Sequence, residues 1–281
     1  MSTQQIHWFP GHMKKALNNI IEKVKMVDVI IEILDARAPE SSMNPDLEKA
    51  IKSKKRLAVL SKADLADPSQ TKLWSDVLKK EFDGFVVLNL TDPKSTKILS
   101  NEVSKLGKEK HDKEIARGMK PQPIKTMIIG VPNVGKSSLI NRLANRKAAG
   151  VQNKPGYTRG EQFIKVNNDF VLLDTPGVLP MNYDDKKHAT NLALVGSVRE
   201  DILPNDVLVK SLLIILREYY PKSLLARYEI EEIGEDHQVL EQIATRRGLK
   251  SAGELDIEKA EITLLKDFKD GRLGLITLDR C

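Results

Sequence analysis

A single cysteine, Cys281, leaves no partner for a disulfide, and no Cys/His cluster has the spacing of a zinc site. No apolar run approaches the roughly 20 residues needed to span a bilayer, and Met1 to Pro10 holds no apolar stretch of the signal-peptide kind. Repeats and low-complexity tracts are also missing. These absences argue against a membrane span, a disulfide framework and a structural metal, and make the cytoplasm the expected location. What remains is ordinary for a soluble globular chain: 281 residues, 41% hydrophobic and 30% charged. Net charge is +6, but unevenly spread: residues 1–185 hold 30 Lys+Arg against 22 Asp+Glu, and residues 186–281 hold 15 against 17. Lysines at Lys14, Lys15, Lys23 and Lys25, from Lys49 to Arg56 and from Lys105 to Lys125 suit either a polyanion-binding surface or a plain solvated face.

Apolar, β-branched runs at Val27 to Leu34, Leu57 to Leu60, Phe85 to Leu88, Thr126 to Ile129, Gln162 to Val166 and Phe170 to Leu173 alternate with helical patterns. They predict a mostly parallel α/β sheet with helices on both faces. Asn167-Asn168-Asp169 between the last two runs predicts one antiparallel hairpin, which makes the sheet mixed. The Lys-rich stretch Ser95 to Gln122 reads as a surface helix connecting two halves of that sheet. Past Tyr183 apolar residues recur at helical spacing (Val207, Leu208, Leu212, Ile215; Leu240, Ile243, Ala244), so a smaller all-helical domain is expected over 186–281, after a sheet domain over 1–185.

Gly130-Val131-Pro132-Asn133-Val134-Gly135-Lys136-Ser137-Ser138 matches G-x-x-x-x-G-K-[ST] between a predicted strand and a predicted helix, the context a phosphate loop requires. Its N–H groups, through Ser138, can wrap phosphates; Lys136 can reach the β/γ oxygens and the Ser137 hydroxyl can bind Mg²⁺. Asp174-Thr175-Pro176-Gly177 follows a strand, so Asp174 suits a water-mediated Mg²⁺ contact and the Gly177 N–H suits a γ-phosphate. Between them lies Pro155-Gly156-Tyr157-Thr158, whose threonine can sense γ-phosphate and Mg²⁺.

Ser61-Lys62-Ala63-Asp64 resembles the N-K-x-D guanine motif. The Asp64 carboxylate can accept from guanine N1 and N2, a pattern adenine does not offer, while the Lys62 stem packs on the ring. Ser61 stands where the motif has Asn, so weaker bracing of the base site is expected. Asn89-Leu90-Thr91 holds the place of a second base-contacting loop but matches it poorly. These base motifs precede the phosphate motifs, the reverse of the order in Ras-like GTPases, which is the mark of circular permutation. Permutation also makes Val178 to Asn191 a candidate segment for passing switch motion to the C-terminal domain.

That order, with Trp8-Phe9-Pro10-Gly11-His12-Met13, Asp35-Ala36-Arg37-Ala38-Pro39 and GVPNVGKSSLIN, resembles the ribosome-biogenesis GTPase A (YlqF-type) family of circularly permuted GTPases over nearly the whole chain. The resemblance implies GTP hydrolysis to GDP and action late in assembly of the large ribosomal subunit. The implied partners are the subunit precursor and its rRNA, with ribosomal proteins as further contacts and a monomer off the ribosome. Arg246, Arg247 and Lys250 are candidate rRNA contacts, or a solvated helix face. Val178 replaces the water-orienting glutamine of Ras-type enzymes, and resemblance and chemistry both point to His12 for that role, since a neutral imidazole can hold a water. An N-terminal anchor in which His12 only hydrogen-bonds is the other reading. Asn133 is a candidate K⁺ ligand or a stabiliser of its own turn. An RNA-binding scaffold holding GTP without turnover is a second functional class, and an ATPase is a third, opposed only by the base motif.

Overall fold

The strand beginning at Val29 reads VIIEILD, and all seven residues are buried, as a strand covered on both faces requires. In the computed structural model, which describes residues 11–89, 92–144, 163–173, 175, 177–180, 186–198, 203–230 and 232–281, excepting the side chains of 11 and 12, this strand is central. With β1 (Val29–Asp35), β2 (Lys55–Ser61), β3 (Gly84–Val87), β4 (Ile124–Ile129), β5 (Phe163–Lys165) and β6 (Phe170–Leu173), the six-stranded sheet has the order β3-β2-β1-β4-β6-β5. Only the β5–β6 pair is antiparallel. Its turn closes through the Asn167 side chain, which accepts from the N–H groups of Asp169 and Phe170 at 2.8 and 2.9 Å.

Alternation along the strands sorts the helices onto two faces. Ile30 of β1 with Met127 and Ile129 of β4 pack against α1 (Gly11–Lys23) and α2 (Pro45–Ile51); Leu34 and Leu60 pack against α3 (Pro68–Glu81) on the same side. Val29, Ile31, Ile33 and Ile128 face the other way, toward α4 (Ser95–Ala116) and α5 (Lys136–Leu143). Asn44 and Asp67 cap α2 and α3 by accepting backbone N–H groups of their first turns.

The connector α4 is more than a surface link between sheet halves, because Leu99, Val103 and Gly107 form a buried stripe on it. At Gly107 a Cβ would come within 2.3 Å of Ile124 Cδ1, so the Ile124 side chain packs directly on the helix backbone there. Gly107→Ala is expected to lose about 1–3 kcal/mol to overpacking, more than the helix-propensity gain of about 1 kcal/mol returns. A lowered urea midpoint with unchanged slope is the check.

The change from sheet to helices falls between Leu173 and Lys186, followed by α6 (Lys186–Leu194), α7 (Asn205–Tyr219), α8 (Pro221–Tyr228), α9 (Asp236–Arg247) and α10 (Ile257–Lys269). One correction applies to an all-helical C-terminal part: Lys250–Ser251 and Glu254–Leu255 form a two-stranded ribbon, β7–β8, between α9 and α10. Buried residues run without a break from Ile31 and Ile128 in the sheet to Leu212, Leu264 and Phe268 in the helices, so the two parts share one core. Among the described residues no helix is long and apolar enough to cross a membrane.

Candidate functional site

The parallel strands share one carboxyl-terminal end of the sheet. Successive strands β1, β2 and β3 step one way from the centre, while β4 and β6 step the other, so the switch point lies between β1 and β4. Ligands of such sheets bind in the crevice outside that point, and the phosphate-loop sequence emerges there from β4.

Gly130 leaves β4 against β1, where a Cβ would stand 2.6 Å from Ile33 O. Left-handed backbone at Asn133 (φ 60°) and Gly135 (φ 99°) is the kind that gathers successive N–H groups into an anion nest. Gly135 caps α5, whose first turn adds its own N–H groups and the positive end of the helix dipole. Lys136 is buried, and its Nζ donates to Gly130 O at 3.0 Å and Val131 O at 2.7 Å, which holds the ammonium across the loop. Gly177 abuts this arrangement: a Cβ there would meet Lys136 Nζ at 2.7 Å and Pro132 Cα at 2.9 Å. Glycine at 130 thus lets the loop start hard against β1, and glycine at 177 lets the segment after β6 close on Pro132 and Lys136, so loop N–H groups, ammonium and the Gly177 main chain are gathered in one place, which fits a polyphosphate. Ser137 and Ser138 are exposed on the first turn of α5, and the Ser137 hydroxyl makes no hydrogen bond to a described residue, so a hard oxygen donor is presented where Mg²⁺ would sit.

Ser61 ends β2 fully buried. Its Oγ donates to Val134 O at 2.6 Å and lies 3.0 Å from Leu34 O, so the shorter hydroxyl does join the base loop to the phosphate loop. Lys62 takes the left-handed conformation (φ 54°) and pairs with Asp35 at 2.9 Å. Ala63–Leu65 then makes one 3-10 turn that leaves the Asp64 side chain exposed, with no hydrogen bond or ion pair among the described residues. Burial pushes the Asp35 carboxyl up, but the Arg37 guanidinium, bonded to both its oxygens at 3.0 and 2.9 Å, and then Lys62 outweigh it and hold Asp35 below the usual range. Arg37 also donates to Val195 O (3.2 Å) and Lys269 O (3.4 Å), tying the base loop to the helical part.

The remaining candidates divide. Asn133 donates from Nδ2 to Gly196 O at 2.7 Å, so its amide nitrogen bridges the phosphate loop to the turn after α6. The main-chain oxygen of Asn89 accepts from Asp92 N–H (3.0 Å) and Ser95 Oγ (2.5 Å), a turn at the start of α4. Thr158 and Asp174 lie outside the described residues, as does the His12 side chain, although its backbone begins α1. That helix packs through Leu17 and Ile20 into the same cluster as Leu173 and Val178, the residues flanking Asp174 to Gly177. Val178 is buried, with its N–H on Gly130 O (3.3 Å) and its carbonyl accepting from Asn44 Nδ2 (3.1 Å). Arg246, Arg247 and Lys250 are exposed.

Sequence reasoning missed the segment after α10. Its buried Thr277 bonds to Asp67 just past the base loop and its buried Asp279 to Ser41 after β1, and the alternation Ile276-Thr277-Leu278-Asp279 was the available signal of an extended tail.

Residues 125–243 match the 50S ribosome-binding GTPase family. The chain is 40% identical over 277 residues to Ribosome biogenesis GTPase A of Bacillus cereus, covering 98% of this chain and 93% of that protein. It is 30% identical over 276 residues to the Thermotoga maritima protein of the same name, covering 97% and 94%. Among solved structures, GNP-bound YlqF from T. maritima superposes with a TM-score of 0.66 at 26% identity, over 95% of this chain and 98% of that one.

Proposed function

Since the chain belongs to the ribosome biogenesis GTPase A family, and so is a GTP-binding and GTP-hydrolysing ribosome-assembly protein, we propose that it acts as a timer on the precursor of the large ribosomal subunit, in the cytoplasm. The GTP form binds the particle and its rRNA, and hydrolysis releases it as a monomer. Supporting this reading above all is the Ser61 hydroxyl on Val134 O at 2.6 Å, which joins the base-reading loop to the phosphate loop, so that one nucleotide is held by both.

Within that reading the backbone N–H groups from Asn133 to Ser138 bind the phosphates, Lys136 neutralises them, and the Gly177 N–H donates to the γ-phosphate. Asp64 reads guanine N1 and N2 while Ser61 and Lys62 fix its loop, with Asn89 beside the base. Ser137, Thr158 and Asp174 hold Mg²⁺, which supplies charge neutralisation at the phosphate oxygens. Asn133 Oδ1 is the atom for K⁺, its Nδ2 being given to Gly196 O. Residues 1–185 carry the chemistry. The helical domain over 186–281 presents Arg246, Arg247 and Lys250 to rRNA phosphates, with ribosomal proteins as further contacts.

Turnover of GTP measured alone, with large-subunit particles and with small-subunit particles tests the timer. Acceleration by large-subunit particles only is expected, because no glutamine follows Gly177 and the particle must order the site; equal rates in all three would overturn it. A scaffold that holds GTP without turnover predicts that hydrolysis-defective protein still leaves the particle.

His12 serves as the residue that orients the attacking water. His12→Ala is expected to bind GTP nearly as the parent does and to lose about 10-fold or more of particle-stimulated turnover, about 1.4 kcal/mol of transition-state stabilisation. Single-turnover rates on purified particles check this, and parent-like turnover would remove the assignment.

A further inference from the structure

The extended tail that follows α10 crosses beneath the base-reading loop and bonds to it at two successive places. Ile276 N–H donates to Leu65 O at 3.2 Å, and Thr277 Oγ1 accepts the Asp67 N–H at 3.1 Å. Leu65 and Asp67 are the exit of the loop whose exposed turn carries Asp64. At Gly271 the approach is so close that a Cβ would stand 2.7 Å from Leu65 Cδ2.

The tail is itself held firmly from other elements. Leu278 N–H donates to Arg37 O at 2.7 Å. The buried Asp279 carboxylate accepts from Ser41 N–H (2.7 Å), Ser41 Oγ (2.8 Å) and Asn191 Nδ2 (2.7 Å), and its main-chain oxygen accepts from Trp74 Nε1 at 3.0 Å. Tyr220, just past α7, closes the arrangement from the helical side: its hydroxyl donates to Asp67 Oδ2 at 2.9 Å and accepts from Thr277 N–H at 3.2 Å and Arg280 at 2.8 Å. Nothing in phosphate binding uses these residues. Ile276, Thr277 and Tyr220 converge on the Leu65–Asp67 segment, while Leu278 and Asp279 anchor the tail that carries them.

We propose that Thr277 and Tyr220 are positioning residues for guanine recognition, holding the exit of the Asp64 loop from the C-terminal part of the chain. The inference rests on the reading of Asp64 as the guanine-selecting carboxylate. A carboxylate in the middle of a one-turn loop keeps its angle to the base only if both ends of the loop are fixed. The entrance is fixed by Ser61 on Val134 O and Lys62 on Asp35, and the exit by the tail and Tyr220. Because Asn191 ends the stretch that runs on from Gly177 and also grips Asp279, the same tail connects that stretch to the base loop.

The test compares GDP with inosine diphosphate, which lacks the exocyclic N2 amino group, by titration calorimetry on the full chain. Thr277→Val removes the acceptor for Asp67 N–H at nearly constant volume, and Thr277→Ser restores it. Tyr220→Phe deletes one hydroxyl from a half-exposed ring and keeps the question open to measurement if the valine variant fails to fold. Both deletions are expected to contract the GDP preference over inosine diphosphate by about 3-fold or more, with Thr277→Ser at the parent ratio. A global loss of stability would lower both affinities alike and leave the ratio unmoved. Asp64→Asn runs in parallel. If it collapses the ratio while Thr277→Val and Tyr220→Phe keep it at the parent value, the positioning role is overturned and the guanine assignment stands; if Asp64→Asn itself leaves the ratio unchanged, both fall.

Discussion

Lys136→Ala is expected to weaken GTP and GDP by about 10³-fold, close to loss of measurable binding and roughly 4 kcal/mol in free energy. The lysine is buried, and its ammonium is already held by two loop carbonyls at 3.0 and 2.7 Å, so no reorganisation is needed when phosphate arrives. Alanine removes the one cationic side chain of the loop and leaves those carbonyls facing phosphate oxygens, two groups of negative character together. Ser137→Ala in the same titrations should leave affinity nearly insensitive to Mg²⁺. Calorimetry with and without Mg²⁺ that showed parent-like affinities for both variants would remove the phosphate-loop assignment.

Asp64→Asn should weaken GTP by about 100-fold and turn preference toward xanthosine nucleotides. Two hydrogen bonds from guanine N1 and N2 to a carboxylate are charge-assisted, each worth about 1.5–3 kcal/mol. An asparagine amide accepts at one atom and donates at the other, which suits the xanthine carbonyl where guanine has its amino group. The exposed carboxylate has no described partner to lose, so the fold is expected to tolerate the change with a parent-like melting temperature. GTP and XTP affinities measured side by side decide it, and unchanged GTP affinity would remove the guanine assignment.

How far the fold could be read in advance follows from where the signals are local. The six strands announce themselves as short apolar runs, and the Asn167-Asn168-Asp169 turn names the antiparallel pair, because strand burial and turn chemistry are written within a few residues. The phosphate loop is similarly local: Gly130, Gly135 and Lys136 are needed at fixed spacing by backbone conformation and charge. Ser61 was legible as a departure from its motif, but not its compensation, since the partner oxygen on Val134 is 73 residues away in sequence. The same limit hid Arg37. Its bonds to Asp35 are local, whereas those to Val195 and Lys269 exist only once the helices have packed. Thr277 and Asp279 were least legible of all, being short polar residues whose partners Asp67 and Ser41 lie more than 200 positions earlier.

The placement of β1 in the middle of the sheet bears on how the chain is made. Its two neighbours are encoded on opposite sides of it: β2 follows within a short stretch, but β4 comes only after β3 and the long helix α4. During synthesis at about 5–20 residues per second, β4 trails β1 by roughly 5–20 s. Throughout that interval a strand whose seven residues are all buried in the finished fold presents an open row of N–H and C=O groups, a template for pairing with another chain. Docking of α1 and α2 can cover one face of β1 meanwhile, but no helix can satisfy its edge. A permuted order thus moves a hazard that finished sheets keep at their rims to the centre of a half-built one, and pulse-labelled chains stalled before residue 124 should be correspondingly prone to aggregate.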